Sequence, residues 1–270
     1  MFEKIMQDMS ERVREMHPIT AQDYTQDGLL YCGKCRSPKQ SRIEVSGKVM
    51  VFNCICRCRK EELEREEQAR KQRAFDERVR RLRLEAFDNS FLRGCTFDCD
   101  DSPDTFVSRI CRNFAERFAD MGHKGLLLFG GVGTGKSFYA ACIANALIDR
   151  GIACRMTTMT ALAKEQDMPD HVRVVILDDF GTERDTEYMR EAVWNVIDTL
   201  YRRQITLICT TNLTAKELKT AEDTHKQRIF SRLYEMCMFY ELPGKDRRRE
   251  RMKIDNAPYK AILDDMPVSA

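Results

Sequence analysis

Eight consecutive residues, Gly130-Gly131-Val132-Gly133-Thr134-Gly135-Lys136-Ser137, fit the phosphate-loop pattern G-x-x-x-x-G-K-[ST]. The chemistry open to such a run is polyphosphate binding. Glycines let the backbone wrap the anion with its N–H groups turned inward, and a helix that follows adds partial positive charge at its N-terminus. Lys136 can then reach the β and γ phosphates, and Ser137 can ligate Mg2+. The plainer reading is a glycine-rich turn. The apolar stretch Leu126 to Phe129 before the run and the helical pattern from Lys136 onward count against it.

A second apolar stretch, Val174 to Leu177, ends in Asp178-Asp179. Strands of this kind deliver acids to the C-terminal edge of a parallel sheet, where ligands bind. Asp178 is expected to hold magnesium through water, and Asp179 to polarise an attacking water, with a helix-capping role as the alternative for Asp179. A third stretch, Thr206 to Thr210, leads to Thr211-Asn212. The Asn212 amide can hold the same water, or it can be a plain turn residue. Further on, Arg228 and Arg232 share one helical face at i,i+4 spacing, and one of them can reach a neighbouring subunit's nucleotide. Arg232 is the preferred candidate, against a surface salt bridge. Arg247-Arg248-Arg249 follows Pro243-Gly244 and offers either a cis contact to phosphates or a basic surface run.

A separate chemistry is written in sulfur. Cys32 and Cys35 form a C-x-x-C knuckle, and Cys54, Cys56 and Cys58 are expected to alternate along the return strand, so four thiolates can surround one Zn2+. The first pair is fixed by its spacing, whereas any two of the last three can complete the set. A redox dithiol is the main competitor, but no thioredoxin-like strand and helix follow. Zinc would stabilise a segment too small to fold on apolar burial alone.

The elements that must position these groups follow from the wider pattern. The chain has 270 residues with 45 Lys plus Arg against 43 Asp plus Glu, a net charge of +2. That balance excludes a uniformly cationic DNA-coating protein. The length fits one large and one small domain, and 43% hydrophobic residues suffice for a real core. No apolar run approaches the ~18 residues of a membrane span, and the charged start MFEKIMQDMSERVREMHP lacks the core of a secretory signal. A cytoplasmic location without membrane association is expected, and with it reduced thiols for all 12 cysteines.

Three regions are expected. Residues 1–58 form a small zinc-binding domain with short strands at Ser41 to Val45 and Lys48 to Asn53. Residues 59–90 form a charged linker: from Arg57 to Glu85, 19 of 29 residues are charged, with Glu61/Arg65, Glu66/Arg70 and Glu67/Lys71 at helical spacing. Residues 91–270 alternate strands and helices, which implies an α/β domain with a parallel sheet flanked by helices.

The runs Leu126 to Ser137, Val175 to Arg184, Leu207 to Leu213 and Arg228 to Cys237 together resemble the DnaC-type bacterial and phage helicase loaders, which are P-loop NTPases of the AAA+ class, and their relatives the IstB transposition ATPases. The likeness spans roughly Phe97 to Met252, and Tyr31 to Gln40 with the later cysteines is similar to the zinc-bearing N-termini of such loaders. The resemblance implies a Mg-dependent ATPase, stimulated by DNA and oligomerisation, that delivers a replicative helicase hexamer onto single-stranded DNA and self-associates through its ATPase domain. It places the helicase contact in the N-terminal part. It implies Walker roles for Lys136, Ser137, Asp178 and Asp179, sensor 1 for Asn212, the arginine finger for Arg232 and sensor 2 for Arg248. The alternative it carries is a transposition ATPase that assembles on DNA and recruits a transposase. Two departures stand out: only ten residues separate Ala163 from Val174, and Leu200 and Ile205 stand where Arg and Pro are frequent.

Overall fold

A computed structural model describes residues 2–45, 47–164, 169–219 and 224–247, together with Tyr259 and Leu263. The chain divides into two compact units, Met1–Asp76 and Glu77–Ala270. No helix among the described residues is long and apolar enough to cross a membrane.

The first unit opens with helix α1 (Phe2–Met16). Strands β1 (Tyr24–Gln26) and β2 (Leu29–Tyr31) pair antiparallel around Asp27-Gly28, both at positive φ, the conformation that tight hairpin turns demand. A second hairpin joins β3 (Gln40–Val45) to β4 (Lys48–Asn53), as the sequence leads one to expect. Helix α1 is tied to β4 through Ser10, whose hydroxyl accepts from the Asn53 amide N–H at 2.8 Å. A buried ion pair, Lys39 Nζ to Asp23 Oδ2 at 2.7 Å, ties the connection after α1 to the start of β3.

Helix α2 (Arg57–Ala86) begins in the first unit and ends in the second. Of the i,i+4 pairs expected along it, Glu67 bonds Lys71 at 2.7 Å, while Glu66 faces Arg59 at 3.5 Å. The second unit continues with the short α3 (Ser90–Arg93), α4 (Phe106–Glu116), β5 (Gly125–Phe129), α5 (Lys136–Asp149) and β6 (Cys154–Thr158). Then come α6 (Met159–Leu162), β7 (Val174–Phe180), α7 (Glu187–Arg202), β8 (Thr206–Thr211), α8 (Ala215–Lys219), α9 (Thr224–Met236) and β9 (Cys237–Glu241).

All five strands β5 to β9 are parallel, in the order β6-β7-β8-β5-β9. Their side chains alternate between two apolar layers. Leu126, Leu128, Val174, Ile176 and Ile208 pack with α4, α5 and the end of α2, while Leu127, Val175, Leu177, Leu207 and Cys209 pack with α7 and α9. A sheet covered on both faces explains why its strands read as unbroken apolar runs. Leu200 and Ile205 are both buried in the second layer, so apolar residues there serve the core. Six of the scattered cysteines are buried as well, and burial pushes the thiols of Cys111 and Cys237 up to about 12, which keeps them protonated.

Candidate functional site

The phosphate loop forms the turn between β5 and α5, at the C-terminal edge of the sheet. Gly130, Gly133 and Gly135 all have positive φ. At Gly133 the requirement is double, because φ is +76° and a Cβ there would fall 1.8 Å from Asp246 Oδ1. The Lys136 ammonium, on a side chain only 5% exposed, donates to the carbonyls of Gly130 at 3.0 Å and Gly131 at 2.7 Å, and the Thr134 hydroxyl donates to Gly131 at 3.0 Å. These bonds fix the loop's curvature around its own lysine.

A cleft of about 350 Å3 opens over this loop, and Gly133, Gly135, Lys136, Ser137, Asp178, Asp179 and Asn212 all line it. Three strand ends therefore converge on one space, β5 with the loop, β7 with the two acids and β8 with the amide. Asp179 does not cap the helix that follows it, since α7 is capped by Thr186, whose hydroxyl accepts from the Met189 N–H. Instead Asp179 has φ +54°, inside an irregularity where β7 slips its register against β8 between Leu177 and Phe180. Aspartate tolerates this left-handed conformation better than most residues, and such backbone strain concentrates at functional sites.

The cleft also contains residues that local sequence reading does not single out. Asn89, Phe91, Leu92 and Asp101 form a wall contributed from upstream of the sheet. Arg247 lines the same cleft, and its backbone N–H donates to the Gly133 carbonyl at 3.0 Å. Arg248 lies outside the described residues. Arg232, on α9, is not among the residues lining the cleft; its guanidinium sits 4.0 Å from the Tyr201 ring centroid and bonds Glu235 at 3.3 Å.

The sulfur cluster lies in the first unit. The ligand atoms of Cys32, Cys35, Cys56 and Cys58 all fall within 4.8 Å of one another. Cys56 and Cys58 sulfurs are 3.3 Å apart, and those of Cys32 and Cys58 3.6 Å. A tetrahedral zinc with bonds of about 2.3 Å sets its sulfurs about 3.8 Å apart, a spacing between the 3.3 Å of the nearest pair and the 4.8 Å that bounds the set, so the nearest sulfurs need only spread by about half an ångström. Cys54 stands apart, its thiol donating to the Pro38 carbonyl at 3.4 Å. The three later cysteines do not alternate along a strand, because β4 ends at Asn53 and Cys58 already belongs to α2.

Two of these thiols are displaced from their ordinary range in opposite directions. Burial opposes ionisation of Cys35, yet the Ser37 hydroxyl and the amides of Cys58 and Ser37 draw it down to about 5. Hydrogen bonding with Cys56, reinforced by burial, pushes Cys58 up to about 12. One ready thiolate beside resisting neighbours is the imbalance that a bound metal removes, since it deprotonates its thiol ligands outright.

This fold and this cleft define a P-loop AAA+ ATP-binding protein, with a cysteine cluster near the N-terminus that can hold zinc. The chain belongs to the family of IstB-like ATP binding proteins, whose profile matches residues 58–255. It is similar to the replicative helicase loader DnaI of Bacillus subtilis strain 168, with 26% identity over 184 residues. That match covers 58% of this chain and 59% of the relative, so the chain spans about three fifths of it. A crystal structure of DnaI shares the fold at 22% identity and a TM-score of 0.51, over 62% of this chain and 99% of that one.

Proposed function

We propose that this chain is an ATP-dependent loader that delivers a replicative DNA helicase onto single-stranded DNA and uses hydrolysis as a switch. The observation that carries the reading is the convergence of Lys136, Ser137, Asp178, Asp179 and Asn212 on one cleft, in a chain related to a named helicase loader. In this reading residues 1–58 hold zinc and the helicase, 59–90 link, and 91–270 bind ATP, contact DNA and self-associate.

The chemistry follows from what each group can do. Loop N–H groups and the Lys136 ammonium neutralise the phosphates. Ser137 and Asp178 supply hard oxygen donors suited to Mg2+, which when bound offsets charge on the β and γ phosphates. Asp179 polarises the attacking water and Asn212 orients it. Arg232 acts on the nucleotide of an adjacent copy, and an arginine of the 247–249 run acts in cis. Cys32, Cys35, Cys56 and Cys58 hold the zinc, and Cys54 does not.

Co-purification of the chain with its host's hexameric replicative helicase, with and without ATP, tests the reading. Capture of the hexamer is expected. Failure to capture it, combined with ATP-dependent pelleting on duplex DNA, would instead identify the transposition-type activity of IstB relatives.

A further inference from the structure

The two acids at the end of β7 are held by one hydroxyl. Thr210 lies on β8, which sits between β7 and β5, and it is completely buried. Its Oγ1 donates to Asp178 Oδ1 at 2.6 Å and accepts from the backbone N–H of Asp179 at 2.9 Å. The register of β7 against β8 runs from Leu177 opposite Cys209 to Phe180 opposite Thr211. Two residues, Asp178 and Asp179, therefore face the single Thr210. An extra residue in a ladder leaves its amide without a strand partner, and the Thr210 hydroxyl takes the place of that partner.

The same atom thus does two things at once. By accepting from Asp179 it satisfies the bulge and holds that residue at φ +54°, a conformation further secured by the Thr182 hydroxyl, which donates to the Asp179 carbonyl at 2.8 Å. By donating to Asp178 it commits one carboxylate oxygen and so selects the side chain's orientation, through a short charge-assisted bond. Neither task falls to the neighbouring Thr211, whose hydroxyl donates to the Phe180 carbonyl at 2.6 Å. Valine has the same shape as threonine and equal liking for a buried strand, so packing alone gives no reason for a hydroxyl in the middle of the sheet.

We infer that Thr210 is a positioning residue for ATP hydrolysis, which sets the direction of Asp178 and the backbone of Asp179 together while touching neither nucleotide nor water. The inference rests on the ATPase reading above and extends it by one residue. Partners of this outer kind typically change metal affinity or activity 10- to 100-fold when removed. The expected signature is a split: a lower kcat and a higher Mg2+ requirement, with nucleotide affinity retained, because the phosphate loop is untouched.

The test measures ATP turnover, its Mg2+ dependence and the Kd of a fluorescent ATP analogue, using the full chain with and without a single-stranded oligonucleotide. Thr210→Val should lower kcat about tenfold or more and shift the half-maximal Mg2+ concentration upward, with Kd changed less than about twofold. Thr210→Ser, which restores the hydroxyl, should recover most of the rate. Should the valine variant fail to fold, Thr210→Ala deletes the same hydroxyl and takes its place. A parental kcat and Mg2+ dependence in the hydroxyl-free variant, or a serine variant as impaired as the valine one, overturns the inference alone. Parental turnover no higher than that of Lys136→Ala overturns the ATPase reading beneath it.

Discussion

The guanidinium of Arg247 is bonded by the carboxylate of Asp101 at 2.9 Å, beside the loop whose Gly133 carbonyl accepts from the same arginine's backbone N–H. Both side chains are partly exposed, so the pair itself contributes at most about 1 kcal/mol. Its consequence is competition, since a phosphate and Asp101 seek the same guanidinium. Asp101→Asn should tighten ATP binding by up to about fivefold, and Arg247→Ala should weaken it by tenfold or more, as loss of a charge-assisted bond does. Titration of a fluorescent ATP analogue reads both, and weaker binding in Asp101→Asn would rule out the competition.

Lys136→Ala removes the ammonium that bonds the Gly130 and Gly131 carbonyls. ATP binding or hydrolysis should disappear, while the far-ultraviolet circular dichroism of the chain stays parental because the core layers are untouched. Calorimetric titration of ATP with magnesium into both proteins checks this, and undiminished binding in the variant would reject the assigned loop.

What the sequence made legible was local. The phosphate loop, the strand ends at Asp178 and Asn212, and α2 depend on neighbours in the chain, such as the i,i+4 pair of Glu67 and Lys71. The strands β6 and β9 were not legible. Cys237–Glu241 continues directly from α9 without a breaking residue, and it is a strand because Gly125 to Phe129 offers it a parallel partner. The wall of Phe91, Leu92 and Asp101 is likewise a product of tertiary folding. Thr210 left a faint trace, a hydroxyl at the end of the otherwise apolar run Leu207-Ile208-Cys209. The choice among Cys54, Cys56 and Cys58 was undecidable from spacing, because it depends on β4 ending at Asn53.

That choice makes a direct prediction. Cys54→Ser should bind one zinc per chain as the parent does, whereas Cys56→Ser or Cys58→Ser should lose it. His17 sharpens the comparison, because its Nε2 lies 3.0 Å from Cys56 Sγ and can donate to that sulfur from outside the metal shell. His17→Ala should therefore weaken zinc binding about 10- to 100-fold without abolishing it. Competition with a chromogenic chelator orders the four variants. Equal zinc affinity in Cys54→Ser and Cys56→Ser would refute the ligand set.

The same unit depends on the buried pair of Asp23 and Lys39, with side chains only 2% and 3% exposed. Burial by itself would raise the Asp23 carboxyl. The Lys39 bond and charge and the N–H groups of Thr20 and Gly33 overcome it and hold the group well below the usual carboxylate range. A carboxyl depressed on folding stabilises above its unfolded value of 3.8, and that contribution is lost as pH falls below it. Asp23→Asn leaves the Lys39 ammonium buried without a counter-charge, which should cost roughly 3 kcal/mol at neutral pH. Thermal melting of the zinc-loaded proteins at neutral pH checks it, and a parental Tm in Asp23→Asn would refute the pair's role.

Arg232 can be separated from a purely structural arginine by the same logic of paired readouts. Within the chain it bonds Glu235, lies near Asp198 and stacks on Tyr201. These contacts are partly exposed and each contributes about 1 kcal/mol or less, so Arg232→Ala should lower Tm only slightly. An arginine that neutralises transition-state charge is worth about 10³ to 10⁵ in rate. If Arg232 reaches the nucleotide of an adjacent copy, the variant should bind ATP normally and lose the stimulation of hydrolysis by DNA or by rising protein concentration. Mixing an excess of the Lys136→Ala chain with the Arg232→Ala chain should restore stimulation, because the first supplies an intact arginine to the intact cleft of the second. Stimulated rates equal to the parent in Arg232→Ala alone would confine the residue to its contacts with Tyr201 and Glu235.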